Sequence, residues 1–323
     1  MILKNVPSNL VNQRLDKVAT VLFQTYSRTQ IKKWILEGRL LVNGEISNPK
    51  DLVNENDEIE INPIEENKIS WASQKIDFEV HFESDNFIIV NKSPGCVMHP
   101  GSGCNDGTLA NGLLYKYPKL ANLPRSGIVH RLDKDTSGVL LVAKNEKFRN
   151  YFIQLMQERK ITKEYIAVVA GPTLGSFTID YPIGRDKFNR TKMALRSDGK
   201  DAITNVKLNQ SLGNYSVLDV SIKTGRTHQI RVHLSSKKLP IIGDKTYDPA
   251  KTVTKGSSPE LIEIIRSFPR QALHARLLSF ECPDTKKKLS FEIPLPSDMK
   301  NLISSIKKPV SYTHLTLPTT SRV

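Results

Sequence analysis

Residues 130–138 read His-Arg-Leu-Asp-Lys-Asp-Thr-Ser-Gly, between the apolar runs Gly127-Ile128-Val129 and Val139-Leu140-Leu141-Val142. A link between two strands needs turn residues. Asp135, Ser137 and Gly138 meet that need, through positive φ or bonds to their own backbone. Arg131, Asp133 and Lys134 exceed it. A carboxylate set among cations is a candidate nucleophile or proton acceptor, and Asp133 is the first residue to test for that role.

Two readings of Asp133 compete with a catalytic one. Asp-Thr-Ser-Gly is close to the Asp-Thr-Gly of an aspartic protease, but Ser137 interrupts the pattern. No second copy supplies the partner carboxylate that such a dyad needs. The other reading is structural, with Asp133 bonding turn backbone and Arg131 in water. For an isolated turn that would be preferred.

Two distant stretches shift the balance. In residues 223–234, KTGRTHQIRVHL, a strand ends in Thr-Gly. Thr227 is placed to cap a short helix with Ile230 and Leu234 facing inward. Arg226 then lies at the helix start, a region favourable to anions. In residues 163–171, KEYIAVVAG, strand alternation puts Tyr165, Ala167 and Val169 on one face.

Composition narrows the partners. The chain has 323 residues and a net charge of +14, which points to a polyanion, with nucleic acid the first candidate. No stretch approaches the roughly 20 apolar residues of a membrane span. The N-terminus lacks the apolar run and cleavage site of a signal peptide, so a cytoplasmic protein with no membrane contact is expected. Cys96, His99 and Cys104 are near one another in sequence, but a structural zinc site needs a fourth ligand and none lies nearby. No metal site is expected.

Residues 12–62 form a small α/β unit with lopsided charge. Arg14, Lys17, Arg28, Lys32, Lys33 and Arg39 fall in residues 12–44 against two acids, whereas residues 45–62 hold six acids and one lysine. Leu15, Val18, Ala19 and Leu22 recur at helical spacing. Ser27 is placed to cap a second helix burying Ile31, Trp34 and Ile35, with Gly38 to end it. Leu40–Val42 and Glu58–Ile61 read as strands, with Asn43-Gly44 as a tight turn.

Residues 63–75 read as a linker and residues 76–308 as a large domain. Strand-like runs cover Phe87–Asn91, Gly127–Leu132, Val139–Ala143, Glu164–Ala170, Ser216–Ile222, Ala272–Glu281 and Leu289–Ile293. Helix-like runs are fewer: Leu109–Tyr117, Glu146–Glu158, His228–Leu234, Glu260–Phe268 and Asp298–Lys307. Short turns between strands predict an α+β fold, with a mixed, mostly antiparallel sheet and flanking helices. Residues 184–200 carry six cations against two Asp and read as a loop that grips nucleic-acid backbone through residues such as Arg190 and Lys192. Residues 309–323, Thr-rich and without acids, are excluded from the fold as a disordered or extraneous tail.

Together these stretches carry a family resemblance. GIVHRLDKDTSGVLLVAK, KEYIAVVAG and TGRTHQIRVHL, in that order, resemble the pseudouridine synthases that modify uridines in large ribosomal RNA and tRNA. NKSPGCVMHPGSGCNDGT and RQALHARLLSF extend the match, with Ser93 a departure from the Pro usual there. Residues 13–45 resemble an S4 domain, a small RNA-binding module. With that module in front, the resemblance covers about residues 12–305 and narrows to the large-subunit rRNA synthases of the D type.

The resemblance implies roles. Asp133 matches the essential aspartate. Arg131, beside His130 in the same RNA-contacting stretch, matches an arginine that takes the place of an extruded uridine. Tyr165 matches a tyrosine that stacks on the target base and assists proton removal. Arg226 matches a basic residue that pairs with the aspartate, and Ile230 and Leu234 match apolar pocket positions. In the S4-like unit, Arg14, Arg28, Lys32, Lys33 and Arg39 would touch RNA phosphates. The chemistry suits these types. A uridine must leave its stack to react, a planar guanidinium fills the gap better than a lysine, and a nearby arginine favours the charged form of a buried carboxyl. The expected partner is 23S ribosomal RNA or the precursor large subunit. The expected enzyme is a monomer that needs no cofactor. Two alternatives share these features: an S4-type assembly factor with an inert synthase-like domain, and the same chemistry on tRNA.

Overall fold

The structure, a computed structural model, describes residues 1–307 except 25, 27, 64–70 and 102. The expected cap Ser27, residues 64–70 of the linker and the tail 309–323 lie outside the described residues. The chain divides into two units, Met1–Ile69 and Ser70–Val323.

The smaller unit runs β1 (Ile2–Asn5), α1 (Leu15–Leu22), α2 (Arg28–Leu36), β2 (Leu40–Val42), β3 (Glu45–Ile46) and β4 (Glu58–Ile61). Its antiparallel sheet has the order β1-β4-β2-β3. The unit thus begins earlier than residue 12, because Ile2–Asn5 pairs along the whole of β4. Leu15, Val18 and Ala19 bury one face of α1 against Ile31, Trp34 and Ile35 of α2. Asn43 and Gly44 both adopt positive φ (51° and 80°), the conformation that a two-residue hairpin turn requires.

The larger unit runs β5 (Glu79–Glu83), β6 (Phe87–Lys92), α3 (Leu109–Lys116), β7 (Ser137–Ala143), α4 (Glu146–Gln157), β8 (Thr162–Ala170) and β9 (Ser176–Asp180). It continues through β10 (Ile183–Arg185), β11 (Met193–Leu195), β12 (Ile203–Leu212), β13 (Tyr215–Ile222) and α5 (Gln229–Ser236). It closes with α6 (Pro259–Ser267), β14 (Leu273–Glu281), β15 (Lys288–Glu292) and α7 (Ser297–Lys307). Nine strands form one sheet in the order β5-β6-β7-β14-β8-β13-β12-β9, with β15 on β14. Among the described residues only β7 and β14 pair in parallel. The α+β class with a mixed, mostly antiparallel sheet is as the sequence predicts.

Three local expectations are corrected. Gly127–Leu132 is not a strand. Arg125, Ser126 and Gly127 all take positive φ (55°, 52° and 76°) and turn the chain sharply. A Cβ on Gly127 would sit 2.0 Å from the Ala143 carbonyl oxygen, so only glycine fits. The segment then meets β7 through a single bridge, Ile128 to Val142. Residues 71–75, read with the linker, pack on the larger unit: Trp71 stacks on His99, and the Gln74 side-chain oxygen accepts the Gly107 N–H at 2.8 Å. Thr227 does not cap α5. His228, at φ 56°, precedes the helix, and the Gln229 side chain closes the turn by accepting the Arg226 N–H at 3.0 Å.

The core lies on both sides of the sheet centre. Phe148, Phe152 and Leu155 recur at helical spacing on the buried face of α4. Asn145 caps that helix by accepting the Phe148 N–H at 2.9 Å. Phe87, Phe148, Phe152 and Phe280 pack edge-on and stacked, each fully buried ring contributing about 1.5–3 kcal/mol. This makes a rigid floor from which the 128–136 loop leaves.

Candidate active site

The 133–137 loop is held from three sides. Lys92, at the end of β6, is buried and donates to the carbonyls of Ser93, Lys134 and Thr136 at 3.0, 2.8 and 2.9 Å. Burial pushes its pKa down to about 8, partly countered by Cys96, Asp135 and Asp133. Arg270, paired with Asp298, donates to the Asp135 carbonyl, and Gln271 donates to Thr136 Oγ1. Ser137 meets Nδ1 of buried His274 at 3.0 Å. Gly138 then lets β7 run against β14, since a Cβ there would lie 2.1 Å from the Ala275 carbonyl oxygen. A loop this tied presents its side chains with little freedom.

Asp133 faces a cavity of about 750 Å³. Arg231 donates from Nη1 to Asp133 Oδ2 at 2.9 Å. The same guanidinium grips Asp244 with two further bonds, Nε to Oδ2 at 2.7 Å and Nη2 to Oδ1 at 2.8 Å. Asp244 is itself fixed by the N–H groups of Thr246 and Tyr247. Burial opposes the charge on Arg231, yet the bond and charge of Asp244, then Asp133, outweigh it and raise its pKa. For Asp244, burial raises the pKa, and Arg231 with the two N–H groups pulls it below the usual carboxylate range. One carboxylate oxygen of Asp133 is held and the other, Oδ1, has no bond among the described residues.

The expected pairing of Arg226 with Asp133 is therefore wrong. Arg226 lines the cavity, but its Nε donates to the Asp201 carbonyl at 2.9 Å. The pairing residue is five positions on. The left-handed residue His228 starts α5 late, and this brings Arg231, on the buried side of the helix, to Asp133. A signal was present, since Arg231 sits between the inward residues Ile230 and Leu234, where a charge demands a partner.

Other expected residues divide. Tyr165 lines the cavity and is buried, and burial with the Asp133 charge raises its pKa, so the phenol stays protonated. It offers a ring face and a hydroxyl, not a phenolate base. Arg131 is exposed and lines the cavity, and Ile230 supplies an apolar wall. Leu234 does not reach the cavity; it is fully buried in the core one turn deeper. His130 reaches the cavity wall, but its Nε2 accepts the Leu141 N–H at 2.9 Å and its ring stacks on Phe152. Burial, and next the charge of Lys163, push its pKa down to about 3. Its identifiable work is anchoring the loop.

The sequence reading missed two groups. His228 has Nε2 3.9 Å from Asp133 Oδ2 and Nδ1 2.8 Å from the Tyr247 hydroxyl. Lys163 also lines the cavity, with burial pushing its pKa down to about 8. Asp133 is the one carboxylate among the lining residues, against seven Lys and Arg. Such a wall suits a polyanion.

In the smaller unit, Asp16 is buried and paired with Arg14 at 3.0 Å and Arg28 at 2.7 Å. Those two guanidinium groups, expected on phosphates, brace the start of α1. Glu37 lies 3.9 Å from Lys33 and 3.7 Å from Arg39, while Lys32 is exposed.

The class is that of the RNA pseudouridylate synthases, whose family model matches residues 86–236; the S4 domain model matches residues 13–59. The ribosomal large subunit pseudouridine synthase D of Vibrio parahaemolyticus is 40% identical over 304 residues, 94% of each chain. That of Escherichia coli strain K12 is 40% identical over 303 residues, 94% of this chain and 93% of its own. The solved structure of human RNA pseudouridylate synthase domain containing 1 matches with a TM-score of 0.52 at 27% identity, over 72% of this chain and 96% of that one. The chain belongs to the family of ribosomal large subunit pseudouridine synthases D, with an S4 domain before its synthase domain.

Proposed function

We propose that this protein isomerises uridine to pseudouridine in large-subunit ribosomal RNA, the 23S molecule, through Asp133. The observation that carries the reading is the half-committed carboxylate: Arg231 holds Oδ2 at 2.9 Å, Oδ1 has no bond among the described residues, and Asp133 lines the same cavity as Tyr165. Product and substrate are isomers. The C1′–N1 bond breaks, a C1′–C5 bond forms, C5 loses a proton and N1 gains one, so no outside atom is needed.

Each residue then has a task. Arg131 enters the space that the uridine leaves, at a cost of a few kcal/mol for unstacking. Tyr165 takes the base on its ring face, worth about 1–3 kcal/mol. The free oxygen of Asp133 acts on the sugar or the base, and Arg231 holds the other oxygen in place through the reaction. The cationic wall, Lys163 included, receives flanking phosphates. Lys32 and the exposed parts of Arg14, Arg28, Lys33 and Arg39 give the S4 domain its own grip on RNA. The cytoplasm, where ribosomal subunits assemble, is the compartment this reading requires.

The test is to incubate the protein with large-subunit rRNA transcript and map pseudouridine. New pseudouridine at defined uridines supports the reading. None on any large-subunit RNA, with RNA still bound, would favour an assembly factor without catalysis, and product on tRNA alone would move the substrate.

A further inference from the structure

Phe188 is 98% exposed, the most exposed large apolar side chain among the described residues. It stands on the loop joining β10 to β11, a two-stranded ribbon apart from the main sheet. Folding gives no reason for the exposure, because the loop satisfies itself without that ring. Asp186 Oδ1 accepts the N–H groups of Phe188 and Asn189 at 2.9 and 2.8 Å. Asn189 Oδ1 accepts from the N–H and hydroxyl of Thr191 at 3.0 and 2.6 Å. The Asp186 N–H donates to the Lys192 carbonyl and the Lys192 N–H to the Asn189 carbonyl, each at 3.0 Å.

The surroundings define a partner. The acid of the loop is turned inward on backbone N–H groups, while Arg185, Lys187 and Arg190 are exposed around the ring. A ribbon edged with cations and tipped with a bare aromatic ring fits a nucleic-acid strand that has unstacked bases. It does not fit an apolar protein groove, which would leave the adjacent cations desolvated without partners. The ribbon's base is rigid: Ile183 packs with Ala202 and Val232, and the Met193 N–H donates to the Tyr247 hydroxyl at 2.9 Å.

We propose that Phe188 is a stacking contact for an unpaired base of the substrate RNA, outside the catalytic cavity, with Lys187 and Arg190 on the adjoining phosphates. The inference rests on the RNA-modifying reading above and adds a second recognised nucleotide to the flipped uridine. A stacked base is worth roughly 5- to 150-fold in affinity. The ribbon sets which RNA shape is accepted, while Asp133 sets what is done to it.

The experiment uses the full chain with Phe188→Ala, Phe188→Leu, Phe188→Tyr and Phe188→Trp, and a large-subunit rRNA transcript as probe. The residue is exposed, so all four variants fold. Expected results are a KM and a Kd raised about tenfold or more in Phe188→Ala and Phe188→Leu, near-wild-type values in Phe188→Tyr, and kcat unchanged at saturating RNA. Phe188→Trp adds emission, over Trp34 and Trp71, that RNA quenches by stacking. Equal Kd for Phe188→Leu and wild type would overturn stacking in favour of an apolar wedge, and unquenched added emission would overturn contact with a base. Direct binding is read without turnover, so absence of pseudouridine formation would refute the reaction and leave this contact to be judged on Kd and quenching.

Discussion

The Tyr247 hydroxyl lies 2.8 Å from Nδ1 of His228 and also accepts the Met193 N–H at 2.9 Å. It joins the base of the β10–β11 ribbon to a ring whose other nitrogen is 3.9 Å from Asp133. Burial, outweighing the attraction of Asp133, lowers the His228 pKa, so the ring is neutral at pH 7. The carboxylate nearby favours the proton on Nε2, which leaves Nδ1 to accept from Tyr247. Tyr247, its pKa pushed up to about 12 by burial, remains a donor. Tyr247→Phe keeps the ring near Arg231 (5.1 Å to the centroid) and removes only these bonds. We expect kcat to fall about tenfold with KM within about threefold, a loss the size of one buried hydrogen bond. Steady-state kinetics check it; a rise in KM with unchanged kcat would mean that the ribbon grips RNA without orienting His228.

Arg231 and Arg226 separate in one comparison. Arg231→Gln leaves Asp133 and Asp244 without their shared cation, a loss of about 3–5 kcal/mol of stability for a buried pair. It is expected to reduce kcat at least a thousandfold and to lower Tm. Arg226→Gln removes a bond to one exposed-segment carbonyl and is expected to change KM more than kcat, with Tm nearly constant. Thermal melts and single-turnover rates distinguish the two.

That contrast also shows what the sequence made legible. The Asp133 loop was plain, because a turn between apolar runs has no folding use for so many charges. The chain order of Asp133, Tyr165 and the 223–234 segment located the cavity. The ion pair was misassigned because the resemblance placed the pairing cation on Arg226. Arg231 is set by a left-handed residue at 228 and by Asp244, 13 residues away, and neither shows in local pattern. Residues 176–180 form β9 at the sheet's edge and residues 203–212 form β12 beside it, where one face meets water and apolar residues are too sparse to mark a strand. Nothing in local pattern marks Lys92 as the buried cation on which three carbonyls converge.

Stability should fall with pH in two separate windows. In the larger unit His233 and His274 are buried and His130 is half-buried, and desolvation is the largest cause that lowers each pKa from 6.5. Their unfolded forms take protons first as pH drops below 6.5, so each removes up to about 1.4 kcal/mol per pH unit until its folded pKa is reached. The smaller unit has no histidine. Its Asp16 is depressed below 3.8, with the bonds from Arg14 and Arg28 overcoming burial, so that contribution is intact above pH 3.8 and lost below it. Amide exchange at pH 7, 5.5 and 4.5 should show protection falling in the larger unit first. Parallel loss in both units would refute the assignment.

Lys163 should carry RNA affinity only while charged. Burial is the cause that places its pKa at about 8; its charge acts on His130 across the cavity wall, and Met156 Sδ lies 3.9 Å from its Nζ. Between pH 7 and 9 the free protein loses that charge, and Kd for RNA is expected to rise. Lys163→Arg should flatten this rise, and Lys163→Met should start at the high-pH value. A pH-independent difference between wild type and Lys163→Met would show that the ammonium does not meet RNA.

The central claim is that the ionised Asp133, held by Arg231, performs chemistry on a uridine drawn into the cavity. Asp133→Asn preserves the side chain's shape and removes its charge. Single-turnover pseudouridine formation on large-subunit rRNA, measured beside Kd for the same RNA, decides the matter. The account predicts binding within about threefold of wild type and no detectable product. Product formed by Asp133→Asn within about tenfold of the wild-type rate would contradict it.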